Sequence, residues 1–130
     1  LARKMEELFN QYGADFLRRD AGCVRSSGAV VLAGVKNTCR GLNELYGYCG
    51  FDSCAACAEA GRKCVYGTID LGIALGSAVA LAAAHSIDSR IMFSAGRAAL
   101  ELGYLGQEYS CIMGIPLSVS GKSPFFDRTR

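Results

Sequence analysis

The cysteines of this 130-residue chain are concentrated in one short segment, and that clustering limits what the segment can fold into. Four of the seven cysteines lie in the sixteen residues from Cys49 to Cys64. Across residues 36–66 the apolar side chains follow neither a helical nor a strand period, so packing of an amphipathic element does not organise this stretch. We therefore expect an irregular cysteine-rich insertion within one domain spanning residues 1–130.

The number of cysteines indicates the redox state of the thiols. Seven is odd, and the amino end carries no apolar secretory segment, so a closed disulfide framework is a poor fit. The sequence thus predicts free thiols or metal ligands in a reducing compartment, the cytoplasm.

The spacing within the cluster is Cys49-x4-Cys54-x2-Cys57-x6-Cys64, with Cys39 a short way upstream. Thiolates are soft ligands that select zinc, copper(I) or iron–sulfur clusters, and an iron–sulfur cluster takes four of them. The first two spacings resemble the C-x4-C-x2-C loop of plant-type ferredoxins. Cys49, Cys54, Cys57 and Cys64 are therefore the candidate ligands. A structural zinc site, a redox-active pair formed by Cys54 and Cys57, and reduced thiols packed as small apolar side chains remain as alternatives.

Periodicity outside the cluster predicts both helices and strands. The predicted elements are a helix over 1–17, a strand over 29–35, a short helix over 53–60, a long helix over 69–84, a strand over 90–93, a helix over 95–102 that Ser94 caps, and a strand over 109–115. The long helix is apolar on every side, so we expect it to be buried all round. The fold class is α+β, a mostly antiparallel sheet packed on this central helix.

Net charge and helix length indicate which classes of partner to expect. The formal net charge is +2, without the clustered basic face of a nucleic-acid binder, and the uncharged stretch 71–84 is shorter than a bilayer-spanning helix. We expect neither nucleic acid nor a membrane as partner. Gly72, Gly76 and Ala80 recur at four-residue intervals, which suits close approach of a second copy in a homodimer.

Three stretches carry a resemblance to a family. They are 41–54, with the run Tyr46-Gly47-Tyr48-Cys49-Gly50-Phe51, the helix 69–79, and the carboxyl-terminal run 114–128. Together they resemble an uncharacterised prokaryotic family described as ferredoxin-domain-containing. The resemblance implies a four-cysteine iron–sulfur motif, and it implies a further amino-terminal segment upstream of Leu1 that this chain lacks.

The chain departs from that family's pattern at one ligand position. Cys49, Cys54 and Cys64 match the second, third and last cysteines of the family motif, but Tyr46 stands where the first is expected. Tyrosine is a poor ligand for such a cluster. The resemblance therefore implies that Cys57 or Cys39 supplies the fourth thiolate, or that the site is degraded, labile or bound to another metal.

A second resemblance concerns the fold. The long helix, the turn and strand after it, and the final strand ending Gly114-Ile115-Pro116 resemble the latter part of flavin-dependent nitroreductases. That resemblance implies a nitroreductase-like α+β homodimer associated with flavin mononucleotide. Two functions follow from the sequence. One is an iron–sulfur electron-transfer protein or oxidoreductase, flavin-associated or not, and the other is a non-catalytic module held by zinc or free thiols.

Overall fold

A three-stranded antiparallel sheet separates two groups of helices in this computed structural model. The structure describes residues 1–36 and 38–126, and within that part the side chains of Glu44 and Tyr46 are left out. The helices are α1 (Ala2–Tyr12), α2 (Asp15–Arg25), α3 (Cys54–Glu59), α4 (Val65–Ala84) and α5 (Phe93–Glu101), with a short 3-10 helix at Asn43–Tyr46; the strands are β1 (Ala29–Lys36), β2 (Asp88–Ser89) and β3 (Tyr109–Ser118).

The sheet confirms the predicted antiparallel α+β class. The strand order is β1-β3-β2, and β1 pairs with β3 from Ala29 opposite Leu117 to Val35 opposite Cys111. Proline is disfavoured in a central strand because it cannot donate to the ladder. Pro116 is accommodated because pairing on the β2 side of β3 is interrupted between Leu117, opposite Ser89, and Gly114, opposite Met92.

Alternation along β3 divides the core between the two faces of the sheet. On one face, Leu71 and Leu75 of α4 pack with Ile115 and with partly buried side chains of β1 and β3. On the other face α5 lies directly over β3, and the hairpin of α1 and α2 covers α5. The buried residues of this second cluster are Met5, Leu8, Leu17, Ala21, Cys23, Met92, Ala95, Ala98 and Phe125.

The amino-terminal prediction of one helix over 1–17 is wrong. Gly13 adopts a left-handed conformation with φ of 67°, and its backbone N–H donates to the carbonyl of Phe9, which ends α1. A second helix, α2, then extends to Arg25. The break turns the two apolar faces toward α5.

Two predictions around α5 are also wrong. The sequence predicted a strand over 90–93, but β2 lies just before that range and only a single bridge forms within it, at Met92. The predicted strand cannot extend further because Phe93 already begins α5. Ser94 lies inside the helix and does not cap it. Its hydroxyl donates to the buried carboxylate of Asp20 at 2.6 Å, which ties α2 to α5.

The expectation that the long helix is buried all round is wrong for this chain. The helix begins earlier than predicted, at Val65, and only Gly67, Leu71, Leu75 and Ala82 are buried. A three-stranded sheet covers one side of a helix, so the opposite side faces outward. Among the described helices α4 also has the length and apolarity needed to cross a membrane, and 22% of its most apolar window is buried.

Gly96 marks the closest approach of helix and sheet. A Cβ at this position would overlap the carbonyl oxygen of Ile112, and backbone cannot move aside cheaply. We predict that Gly96→Ala lowers the free energy of unfolding by about 3 kcal/mol or more, measured by urea denaturation. The matched control is Gly22→Ala on α2, where a Cβ meets nothing within 4 Å. It should stabilise by up to about 1 kcal/mol, and equal effects of the two substitutions would contradict this packing.

Candidate functional site

Five cysteines come together in the segment between β1 and α4. Cys39 follows β1, Cys49 follows the 3-10 helix, Cys54 and Cys57 lie on α3, and Cys64 immediately precedes α4. The Cys39 thiol donates to the carbonyl of Cys54 at 3.3 Å, although the two are fifteen residues apart. The structure therefore brings the four sequence-predicted cysteines together and adds Cys39 to them.

The thiols act on one another electrostatically. Burial raises the pKa of Cys39, and the neighbouring Cys54, Cys64 and Cys49 raise it further. Burial likewise raises the pKa of Cys57, as do its charge interaction and hydrogen bond with Cys49 and the proximity of Cys39 and Cys64. Like charges this close favour the protonated form, unless a cation or metal neutralises them. The donor set is therefore suited to a positively charged centre.

Cys64 is the exception, because its surroundings favour the thiolate. Burial raises its pKa, but the nearby backbone N–H groups of Arg40, Gly67 and Tyr66 and the positive charge of Arg40 lower it. The net effect lowers the pKa of Cys64. The amino end of the twenty-residue helix α4 contributes here, since its first N–H groups have no partner within the helix.

Asn43 positions Cys54 by a reciprocal pair of hydrogen bonds. The Asn43 backbone N–H donates to the Cys54 sulfur at 3.4 Å, and the Cys54 backbone N–H donates to the Asn43 side-chain oxygen at 3.3 Å. Asn43 has a φ of 44°, a left-handed conformation that asparagine tolerates better than most residues. The sequence reasoning missed Asn43 and Arg40, because neither has a spacing that marks it as a partner of sulfur.

The short helix α3 follows the sequence prediction. The side chain of Ser53 accepts the N–H of Ala56 and so caps the helix, and Gly61 ends it in a left-handed conformation. The cap fixes the first turn, and Cys54 and Cys57 then lie three residues apart on the same face of α3.

The remaining two cysteines lie apart from this group. Cys23 is buried in the core under α5, its pKa is raised by burial, and its thiol donates to the carbonyl of Pro124 at 3.8 Å. Cys111 lies in β3 and packs with the α4 cluster. Both behave as ordinary packed thiols, and all seven cysteines are free.

The donor set fits an iron–sulfur cluster by its chemistry. Such a cluster needs four thiolates and is tuned by N–H groups aimed at sulfur, and here five thiols converge with N–H donors on Cys54 and Cys64. Within the described residues no three His, Cys, Asp or Glu side chains surround one point closely enough for a single metal ion. The zinc alternative therefore gains no support from the geometry. The side chain of Tyr46, at the expected first ligand position, is outside the described part of the chain.

Comparison with known proteins gives a family match over the second half of the chain and a relative that covers nearly all of it. Residues 60–128 match the profile of a family described as uncharacterized protein containing a ferredoxin domain. An uncharacterized protein of Archaeoglobus fulgidus is 45% identical over 136 residues, covering 98% of this chain and 72% of that protein. No solved structure matches, so the nitroreductase resemblance gains no support.

We predict that Cys64 reacts before Cys39 and Cys57 in the metal-free chain. Its pKa is lowered while those of Cys39 and Cys57 are raised, so as pH rises Cys64 becomes a thiolate first. Alkylation by iodoacetamide, followed peptide by peptide with mass spectrometry across pH, should show a lower midpoint at Cys64 than at Cys39 or Cys57. Faster labelling of Cys57 than of Cys64 at neutral pH would contradict the assignment.

Proposed function

The chain belongs to the family of uncharacterized proteins that contain a ferredoxin domain, and on that premise we propose that it is an iron–sulfur electron-transfer protein. The observation that carries the proposal is the convergence of Cys39, Cys49, Cys54, Cys57 and Cys64 from separate turns of one irregular segment. When bound, such a cluster supplies reversible one-electron chemistry.

We assign the four ligands to Cys49, Cys54, Cys57 and Cys64. Cys54 already accepts a backbone N–H at sulfur, as ligating sulfurs do, and backbone N–H groups near Cys64 lower the pKa of its thiol. Cys49 and Cys57 lie close enough for Cys49 to raise the pKa of the Cys57 thiol. Cys39 uses its proton to donate to a carbonyl, which favours the thiol over the thiolate, so we place it as the fifth cysteine and the substitute ligand.

Groups of the protein would set the reduction potential of the bound cluster. The N–H groups aimed at Cys54 and Cys64 stabilise added negative charge on sulfur, and Arg40 contributes a fixed positive charge beside Cys64. Cys57 is buried at 1% exposed, whereas the other three ligands are half-buried. The site therefore lies near enough to the surface for exchange with a redox partner.

The proposal extends to an activity, a cofactor and a location. Catalysis as an oxidoreductase, association with flavin mononucleotide and a nitroreductase-like fold rest on resemblance. A cytoplasmic location rests on the free thiols, which suit a reducing compartment.

Reconstitution with iron and sulfide tests the ligand assignment. After anaerobic reconstitution the wild-type chain should contain iron and sulfide in equal amounts and absorb visible light. Each of Cys49→Ser, Cys54→Ser, Cys57→Ser and Cys64→Ser should abolish the absorption, because each removes one thiolate. Cys111→Ser is the control and should leave it unchanged.

The same series separates the alternatives. If Cys57→Ser keeps the chromophore and Cys39→Ser loses it, Cys39 is the fourth ligand and the assignment of Cys57 is wrong. Stoichiometric zinc, with neither iron nor sulfide, would replace the electron-transfer proposal by the structural module.

We predict that Asn43 tunes the reduction potential. Asn43→Ala loses the side-chain bond to the Cys54 N–H and strains a left-handed backbone, which draws the N–H away from sulfur. Voltammetry should show a lower potential, because the reduced and more negative state loses a donor. Asn43→Gly tolerates the same φ and should shift the potential less. Asn10→Ala, on the exposed side of α1, should have no effect.

A further inference from the structure

The cysteine segment contains one thiol more than an iron–sulfur cluster takes. The fifth thiol, Cys39, contacts one of the four assigned ligands, because it donates to the carbonyl of Cys54 at 3.3 Å. The two cysteines are fifteen residues apart, so chain folding brings them together. Both side chains are half-buried and therefore accessible to small molecules. The spare thiol thus lies where it can react with a ligand.

We propose that Cys39 and Cys54 form a reversible disulfide in the metal-free chain, by exchange with a small-molecule disulfide such as oxidised glutathione. The cluster and the disulfide then exclude each other, because Cys54 takes part in both. This exclusion rests on the iron–sulfur proposal, whereas the disulfide itself requires no cluster.

The contact between the two residues places their sulfurs within reach of each other. The sulfur and the carbonyl oxygen of one cysteine are joined through four bonds and so lie within about 5 Å. The Cys39 sulfur, 3.3 Å from the Cys54 oxygen, is therefore near the Cys54 sulfur as well. In agreement, Cys54 is close enough to raise the pKa of the Cys39 thiol. Rotation about the two Cα–Cβ bonds can then bring the sulfurs together.

Polar contacts hold both cysteines in position. Asn43 joins the backbone N–H of Cys54 at 3.3 Å and its sulfur at 3.4 Å. Next to Cys39, the Arg40 side chain bonds Asp70 of α4 at 3.0 Å. Because the two thiols are held near each other, the second step of the exchange is intramolecular. The protein disulfide is therefore favoured over two mixed disulfides with glutathione.

The exchange balances with glutathione as the one other reactant. A thiolate of the pair attacks one sulfur of oxidised glutathione, the glutathione S–S bond breaks, and one reduced glutathione leaves. The second thiolate then displaces the bound glutathione, and the bond between Cys39 and Cys54 forms. The two cysteines lose two electrons and two protons, which the two released glutathione molecules take up. An added dithiol such as dithiothreitol reverses the reaction.

The alternative pairs are less suited to a stable disulfide. Cys57 is 1% exposed, so it is poorly placed to exchange with a dissolved disulfide. Cys54 and Cys57 are also three residues apart, and cross-linking so short a loop constrains the unfolded chain less than joining Cys39 to Cys54. Early reaction at Cys64 does not change the outcome, because exchange is reversible and the final pairing depends on geometry.

Peptide mapping of the metal-free full chain tests the disulfide. The chain is equilibrated in a glutathione buffer rich in the oxidised form, its free thiols are blocked with N-ethylmaleimide, and it is cleaved with trypsin. Cleavage after lysine and arginine releases Cys39 in fragment 37–40 and Cys54 in fragment 41–62. The two fragments should be joined by a disulfide, and sequencing of the joined product by mass spectrometry should place it at Cys54.

Single variants check the pairing. Cys111→Ser, which lies in β3 outside the cysteine segment, should give the same joined fragments as the wild-type chain. Cys54→Ser should lose them, and dithiothreitol should separate them wherever they form. A wild-type fragment 37–40 that is unjoined, or joined to another cysteine, would overturn the proposal. Undiminished joining in Cys54→Ser would overturn it as well.

The reconstituted chain tests the exclusion. While the chromophore is present, the same anaerobic buffer should leave fragment 37–40 unjoined, because Cys54 is bound to iron. Joined fragments with the chromophore retained would refute the exclusion, since Cys54 would then not be a ligand. If reconstitution yields no chromophore, the iron–sulfur proposal fails, and the mapping of the metal-free chain still decides whether the disulfide forms.

Discussion

The packing of α4 against the sheet is the contact on which the other features depend. Leu71 and Leu75 are buried against Ile115, and this contact fixes where the helix begins and which side faces outward. Its amino end carries Cys64 to the other thiols, and its outer side is exposed. One apolar helix therefore positions a thiol of the proposed redox centre.

The cysteine segment is ordered by specific polar contacts where a hydrophobic core is missing. Fixing some thirty irregular residues costs conformational entropy of about 1–2 kcal/mol per residue, and among the residues of the segment whose burial the structure describes Cys57 is the one buried apolar residue. The Asn43–Cys54 pair, the Ser53 cap and the donors to Cys64 offset part of that cost. Metal binding is an efficient way to supply the remainder, because its free energy adds directly to folding.

The sequence predicted the features that depend on local chemistry. The cysteine spacing predicted that the thiols cluster, and the capping residue Ser53 predicted helix α3. The hydrophobic periodicity predicted strands β1 and β3 and, with them, the antiparallel class. The features it missed depend on tertiary contact. Gly13 breaks a helix so that two faces can meet α5, and Ser94 is turned inward to Asp20. Asn43 and Arg40 are brought to sulfur by chain folding, and the exposure of α4 depends on how much sheet one chain can form.

X-ray absorption at the iron edge of the anaerobically reconstituted chain tests the central claim most directly. The account predicts a first shell made only of sulfur and a second shell of iron, because thiolates and sulfide bridges surround every metal atom of a cluster. An iron first shell containing nitrogen or oxygen with no neighbouring iron, or a chain that retains zinc and no iron, would contradict it.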